Sequence, residues 1–217
     1  MIHDSKGAGR DKPLDALLAG YAAGTLGPSL HRLVAAHLAI KPDNRRFVRM
    51  LEASAASEFE NSAPTPINDR DARLAAIFSA TEANASPRHV DGIVPAPLVD
   101  FIGRDLSDIR WKTVLPGIRE HRVSDDSNGE ASLLWIRPGR IMPAHTHEGV
   151  EVTLVLKGGF SDATGHYRRG DIAIADHEVD HRPRADEDED CICFAVTDAP
   201  LRLTGPVGRL VQRFLGH

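Results

Sequence analysis

Residues 138–159 run PGRIMPAHTHEGVEVTLVLKGG. His145 and His147 stand two apart, Glu151 follows four later, and glycines lie before and after them. Residues at i and i+2 of a strand project to one face, so these two imidazoles can aim at one point. Glu151 has the same parity and can add a carboxylate. A second segment, residues 170–181 (GDIAIADHEVDH), brings a third imidazole, His181, about one hairpin later. Three imidazoles and a carboxylate suit a first-row divalent metal.

The surrounding sequence is broken into short strand candidates at 117–123, 131–136, 150–156, 172–175 and 191–196. Gly, Pro, Asp and Asn turns separate them. Several short antiparallel strands at this spacing predict a sandwich or barrel. The acidic run Asp186-Glu187-Asp188-Glu189-Asp190 reads as a solvated strand connection. Residues 201–217 are amphipathic, with Leu203, Val207, Leu210, Val211 and Phe214 on one side, and are expected to pack a helix back on the barrel.

Upstream the period changes to that of helices. Leu14, Leu17, Leu18, Tyr21 and Ala22 line one face of a first helix that ends near Gly24 or Gly27. Pro28 suits an early position of a second, carrying Leu30, Leu33, Val34, His37 and Leu38. After the turn Lys41-Pro42-Asp43-Asn44, a third helix carries Phe47, Val48, Leu51 and Ala55. The stretch Ser62-Ala63-Pro64-Thr65-Pro66 ends it. Asn68 or Asp69 is placed to cap a fourth, with Leu74, Ile77 and Phe78. Residues 84–97 contain three prolines and no sustained period, as a linker would. The expected organisation is multidomain α plus all-β: helices over 1–83, linker over 84–97, barrel over 98–217.

Composition narrows the function classes. The chain has 217 residues, 41% of them hydrophobic, enough for a sizeable core. A net charge of -5 argues against direct nucleic-acid binding. There is no apolar run long enough for a membrane span and no secretory signal, so a cytoplasmic location is expected. Cys191 and Cys193, the only cysteines, are too few and too close for a disulfide framework.

Spelled out, the first motif is Gly139, five residues, His145-Thr146-His147, three residues, Glu151, six residues, Gly158. The second is Gly170, ten residues, His181. Together they resemble the two signatures of the cupin superfamily, a double-stranded β-helix or jelly-roll barrel. Asp176 and Glu178 depart from the usual second motif, and no Asn follows His181; these changes concern turn geometry. The resemblance implies His145, His147, Glu151 and His181 as metal ligands. His177 is out of register and is expected in a loop at the barrel mouth. His121 and His166 have no constellation around them and read as surface histidines.

Residues 14–40, LDALLAGYAAGTLGPSLHRLVAAHLAI, resemble the N-terminal domain of ChrR-type zinc-binding anti-sigma factors, which pair a small helical domain with a cupin. The Cys191-Ile-Cys193 pair and the tail LRLTGPVGRLVQRFL are similar to that family as well. The family's N-terminal zinc motif is a histidine followed by CxxC, with a further histidine upstream. Here His37 holds the histidine position, Lys41 and Asn44 stand in place of the cysteines, and Lys12 stands near the upstream histidine. A protonated lysine has no lone pair, and asparagine is a poor zinc ligand. No N-terminal zinc is therefore expected, and His37 reads as a core histidine.

The resemblance implies a protein that sequesters an extracytoplasmic-function-type (ECF-type) sigma factor. Phe47, Leu51, Leu74, Ile77 and Phe78 are the candidate contacts. The barrel would sense singlet oxygen or organic peroxide and hold one divalent metal, zinc first, with iron, manganese or nickel also suited. Cys191 and Cys193 share a strand face and are candidate redox sensors, or two small buried hydrophobes. The alternative is a metal-dependent, dioxygenase-like cupin enzyme acting on a small molecule, since the same ligand set with open positions can activate dioxygen.

Overall fold

A computed structural model describes residues 11–80, 92–126, 129–199 and 201–204. The helices are α1 (Asp11–Ala22), α2 (Pro28–Ile40), α3 (Arg45–Glu60), α4 (Arg70–Ser79) and α5 (Ala96–Ile102). Gly24, at φ 67°, closes the turn after α1, and Pro28 opens α2 at its first position, where a missing N–H costs nothing. A 3-10 turn, Pro42–Asn44, bends the chain between α2 and α3. Asp69 precedes α4 in a left-handed conformation, φ 56°, and its side chain makes no capping bond, so the expected cap is not formed.

The strands are β1 (Lys112–Leu115), β2 (Ile118–Asp126), β3 (Gly129–Ile136), β4 (His145–His147), β5 (Glu151–Lys157), β6 (Gly159–Ser161), β7 (His166–Arg168), β8 (Ile172–Ala175), β9 (Arg184–Ala185), β10 (Cys191–Thr197) and β11 (Leu201–Leu203). An antiparallel sheet of order β1-β2-β3-β10-β5-β8 makes one layer. The short pairings β11-β4 and β7-β6-β9 supply the rest, joined by bridges Ile141–Arg184 and His145–His181. The five strands predicted from sequence are β2, β3, β5, β8 and β10. The others span two to four residues, too short to display alternation.

Both faces of the large sheet are buried. Val155, Cys191, Cys193, Ile118, Ile136 and Phe160 pack into the barrel interior. On the opposite face Leu133, Leu154, Leu156, Phe194 and Val196 pack against Leu33 and Ala36 of α2 and Leu98, Val99 and Ile102 of α5. This two-sided burial is why β5 and β10 read as nearly unbroken apolar runs rather than alternating ones.

A third cluster joins α1, α2 and the start of α3 through Leu18, Val34, Leu38 and Val48, with Tyr21 and Phe47 against it. Helix α2 thus has two buried faces. Leu33, expected in the helical core, belongs to the sheet instead, because it lies on the other side of α2 from Val34 and Leu38. The stretch expected as linker also enters the fold. Val94 lies in the sheet-facing core and α5 begins at Ala96, because its apolar Leu98, Val99 and Ile102 complete the cover of the sheet. Residues 84–91 and the amphipathic segment beyond 204 lie outside the described residues.

Candidate metal centre

A cavity of about 250 Å³ lies between the large sheet and the short strands. His145, Glu151, Thr153, Asp162, His181 and Cys193 are among its lining. Strand pairing brings two of the predicted ligands together. His145 and His181 exchange backbone hydrogen bonds of 3.1 Å in each direction, so their side chains are cross-strand neighbours. Their rings meet with Nε2 to Nε2 at 2.9 Å.

The second ring nitrogens fix the tautomers. His145 Nδ1 lies 2.9 Å from the Pro143 carbonyl, which can only accept, so Nδ1 carries the proton. His181 Nδ1 lies 2.9 Å from Asp162 Oδ2 and donates to it. Asp162 is nearly sealed from solvent, its side chain 2% exposed. Burial pushes its pKa up, but hydrogen bonds from His181, the Thr164 hydroxyl and the Thr164 and Gly165 amides outweigh that and hold it at about 2. It is therefore a carboxylate. Both Nε2 atoms are then lone-pair ends turned toward one another, and such a pair repels unless a proton or a cation stands with it.

Glu151 opens β5, where it pairs with Ala175 and Thr197, and lines the same cavity. Its Oε1 accepts the Thr153 hydroxyl at 2.9 Å. His147 occupies the last position of β4, paired with Leu201, two residues from His145 and at the same parity. Donor type thus fits a first-row divalent cation: two imidazole nitrogens converge in a cavity that also holds a carboxylate. The orienting acceptors behind each histidine are those that metal-binding imidazoles normally have.

Cys191 and Cys193 are both buried, with Sγ atoms 3.5 Å apart. The hydrogen bond between the thiols, followed by burial, pushes the Cys193 pKa well above its ordinary value. Cys193 therefore stays a thiol at neutral pH, which slows its attack on oxidants.

His37 is 2% exposed and fully engaged. Its Nδ1 donates to the Gly170 carbonyl at 2.7 Å, and its Nε2 accepts from Asn44 Nδ2 at 2.8 Å. Lys41 pairs with Asp171. Desolvation lowers the His37 pKa, so the ring is held neutral. His177 is exposed in the loop after β8, and its carbonyl accepts the Thr146 hydroxyl. His166 is exposed, as expected of a surface histidine, and pairs there with Asp186 of the acidic run at 2.9 Å.

The candidate partner contacts divide. Phe47 packs on the helical core, and Leu51 and Leu74 are half-buried. Ile77 and Phe78 are 67% and 84% exposed. Met50, Phe59 and Ile67, which sequence reasoning passed over, are exposed large apolar residues as well. Asp162 was also missed. Its DATG context reads as a turn, and nothing in the sequence ties it to His181, nineteen residues away.

Residues 100–200 match the family model of the ChrR cupin-like domain. The chain is 41% identical over 204 residues to the anti-sigma-E factor ChrR of Cereibacter sphaeroides, covering 92% of this chain and 95% of the relative. It also aligns with the crystal structure of Rhodobacter sphaeroides SigE in complex with the anti-sigma ChrR. That match has TM-score 0.72 and 40% identity, over 85% of this chain and 96% of the other. This chain belongs to the ChrR family of anti-sigma factors.

Proposed function

We propose that the protein is an anti-sigma factor that sequesters an ECF-type sigma factor. The observation that carries this is the exposed apolar surface of α3 and α4 on a chain so similar to a protein solved with its sigma factor. From Glu52 to Glu60 every residue of α3 is exposed, and α4 buries none of its own. Helices with large exposed apolar side chains and no cover among the described residues mark a partner surface. Ile77 and Phe78 are the primary contacts, with Leu74 and Leu51 behind them. The enzyme alternative gives this surface no role. The site of action is the cytoplasm, where the polymerase is. No helix among the described residues is long and apolar enough to cross a membrane.

In this reading residues 1–83 form the sigma-binding module, 84–97 the connection and 98–217 the sensor barrel. The barrel holds one divalent metal, zinc first, through His145, His147, Glu151 and His181. When bound, that ion neutralises the facing imidazoles and anchors β4 to the chain at His181. Asp162 and the Pro143 carbonyl orient the two histidines. The helical module carries no zinc: both His37 nitrogens are hydrogen bonded, and Asn44 and Lys41 are committed to His37 and Asp171. The signal is oxidative, singlet oxygen or organic peroxide, reaching imidazoles and thiols inside the barrel. Cys193 lines the cavity, so an oxidant small enough to enter can reach it.

Affinity capture from the source cells with the full chain and with an Ile77→Asp, Phe78→Asp variant tests the partner. A sigma factor retained by the first and lost by the second is expected. A sigma factor absent from the first, or held equally by both, overturns the reading. Truncation at residue 92 is a poor substitute, because removing α2 uncovers Leu133, Leu154 and Phe194. Metal content near one equivalent per chain, abolished by His145→Ala with His181→Ala, is expected for the barrel site.

A further inference from the structure

Ten residues, 162–171, touch the candidate metal centre at one end and the helical module at the other. At the first end Asp162 accepts from His181 Nδ1 at 2.9 Å. Its other oxygen organises the turn, accepting the amides of Thr164 at 2.7 Å and Gly165 at 3.1 Å. The Thr164 hydroxyl continues to the Tyr167 hydroxyl of β7 at 2.9 Å. At the second end Asp171 holds the turn closed: its Oδ2 accepts the Arg168 amide at 2.8 Å while its amide donates to the Arg168 carbonyl at 2.7 Å.

That closed turn is also the docking point of α2. The Gly170 carbonyl takes the His37 Nδ1 proton, and Asp171 Oδ1 takes Lys41. The approach is close enough to need glycine. A Cβ at Gly170 would lie 2.7 Å from Ile40 Cγ2 and 2.9 Å from Lys41 Cγ, and its φ of +87° disfavours any other residue. Because His37 is buried, its bond to Gly170 cannot be exchanged for one to water. A shift of that carbonyl is therefore felt by α2.

We infer that residues 162–171 couple the barrel site to the helices, so that metal held by His181 tightens the hold of Gly170 and Asp171 on His37 and Lys41. This rests on the metal reading of the barrel. A cation on His181 Nε2 makes its Nδ1–H a stronger donor to Asp162, firming the turn that Asp162 organises. Binding linkage is reciprocal, so if metal favours this docking, docking favours metal, and weakening the far end must lower metal affinity by up to the coupling factor.

The test uses the full chain, zinc-loaded and chelated, with zinc uptake measured separately. Hydrogen exchange is followed at the Lys41 amide, which donates to the His37 carbonyl at the end of α2. Zinc is expected to slow that exchange several-fold in the wild type. In Asp162→Asn, saturated with zinc, the slowing should disappear. Lys41→Met, remote from every proposed ligand, should lower zinc affinity several-fold by chelator competition, which keeps the test usable if Asp162→Asn does not fold. A wild type that binds zinc with unchanged exchange overturns the coupling alone, as does Lys41→Met with unchanged affinity. A wild type that takes up no zinc overturns the metal reading and the coupling with it.

Discussion

Helices α2 and α4 carry similar apolar residues and meet opposite fates. Helix α2 buries Leu33 and Ala36 against the sheet and Val34 and Leu38 against α1 and α3. Helix α4 leaves Ile77 and Phe78 in solvent, and its Leu74 is only half-buried. Hydrophobic burial is the dominant favourable term in folding, so a helix that forgoes it contributes little to the stability of the free chain. In the function proposed above, its apolar residues answer to a partner instead. The helix that belongs to the fold touches the barrel at Gly170, whereas the exposed one has no residue in any of the three buried clusters.

The largest test of this contrast is in the sheet. Phe194→Ala removes a fully buried ring beneath α2 and α5 and should cost about 3–5 kcal/mol of unfolding free energy. Phe78→Ala should change the same measurement by less than about 0.5 kcal/mol while weakening sigma-factor binding. An equal effect of the two on the free chain would erase the distinction. Leu33→Ala comes next, at about 2–4 kcal/mol, measured by denaturant unfolding. A value near zero would mean that α2 is not held on the sheet.

Asp162→Asn should lower zinc affinity about 10–100-fold without abolishing binding, as expected for a residue that orients a ligand. His181→Ala should remove far more. Equal losses would make Asp162 a ligand rather than a support.

The smallest expected effect is pH dependence. The folded chain lowers the His37 pKa below its ordinary 6.5, so the unfolded chain binds more protons just below that value. Stability therefore rises with pH through this window. The His37 contribution is complete above about 6.5 and is lost as pH falls toward the folded value. Replacing His37 with Gln should flatten that part of the stability profile. A profile unchanged by the substitution would remove His37 from the interface energetics.

Much of this was legible before any coordinates. The HTH and downstream Glu motif placed His145 and Glu151 in one cavity, and the Gly170 to His181 spacing placed His181 beside His145. Helix periods and the Pro28 and Gly24 signals set the first two helices. Turn chemistry at Asp162 was visible but mute, because a turn aspartate looks the same whether it faces water or a histidine. Phe47 and Phe78 were indistinguishable as apolar helical positions, since sequence period reports a face and not what covers it.

The sequence by itself determined strands β2, β3, β5, β8 and β10, helices α1 to α4 and the spacing of the candidate ligands. These depend on local period and on residue chemistry at fixed spacing. Only the tertiary structure decided that α2 is shared between two cores, that Asp162 stands behind His181, and that His37 and Lys41 clasp the barrel turn at Gly170 and Asp171. Those contacts join residues up to 133 positions apart, as His37 and Gly170 are, and their partners are set by packing in three dimensions.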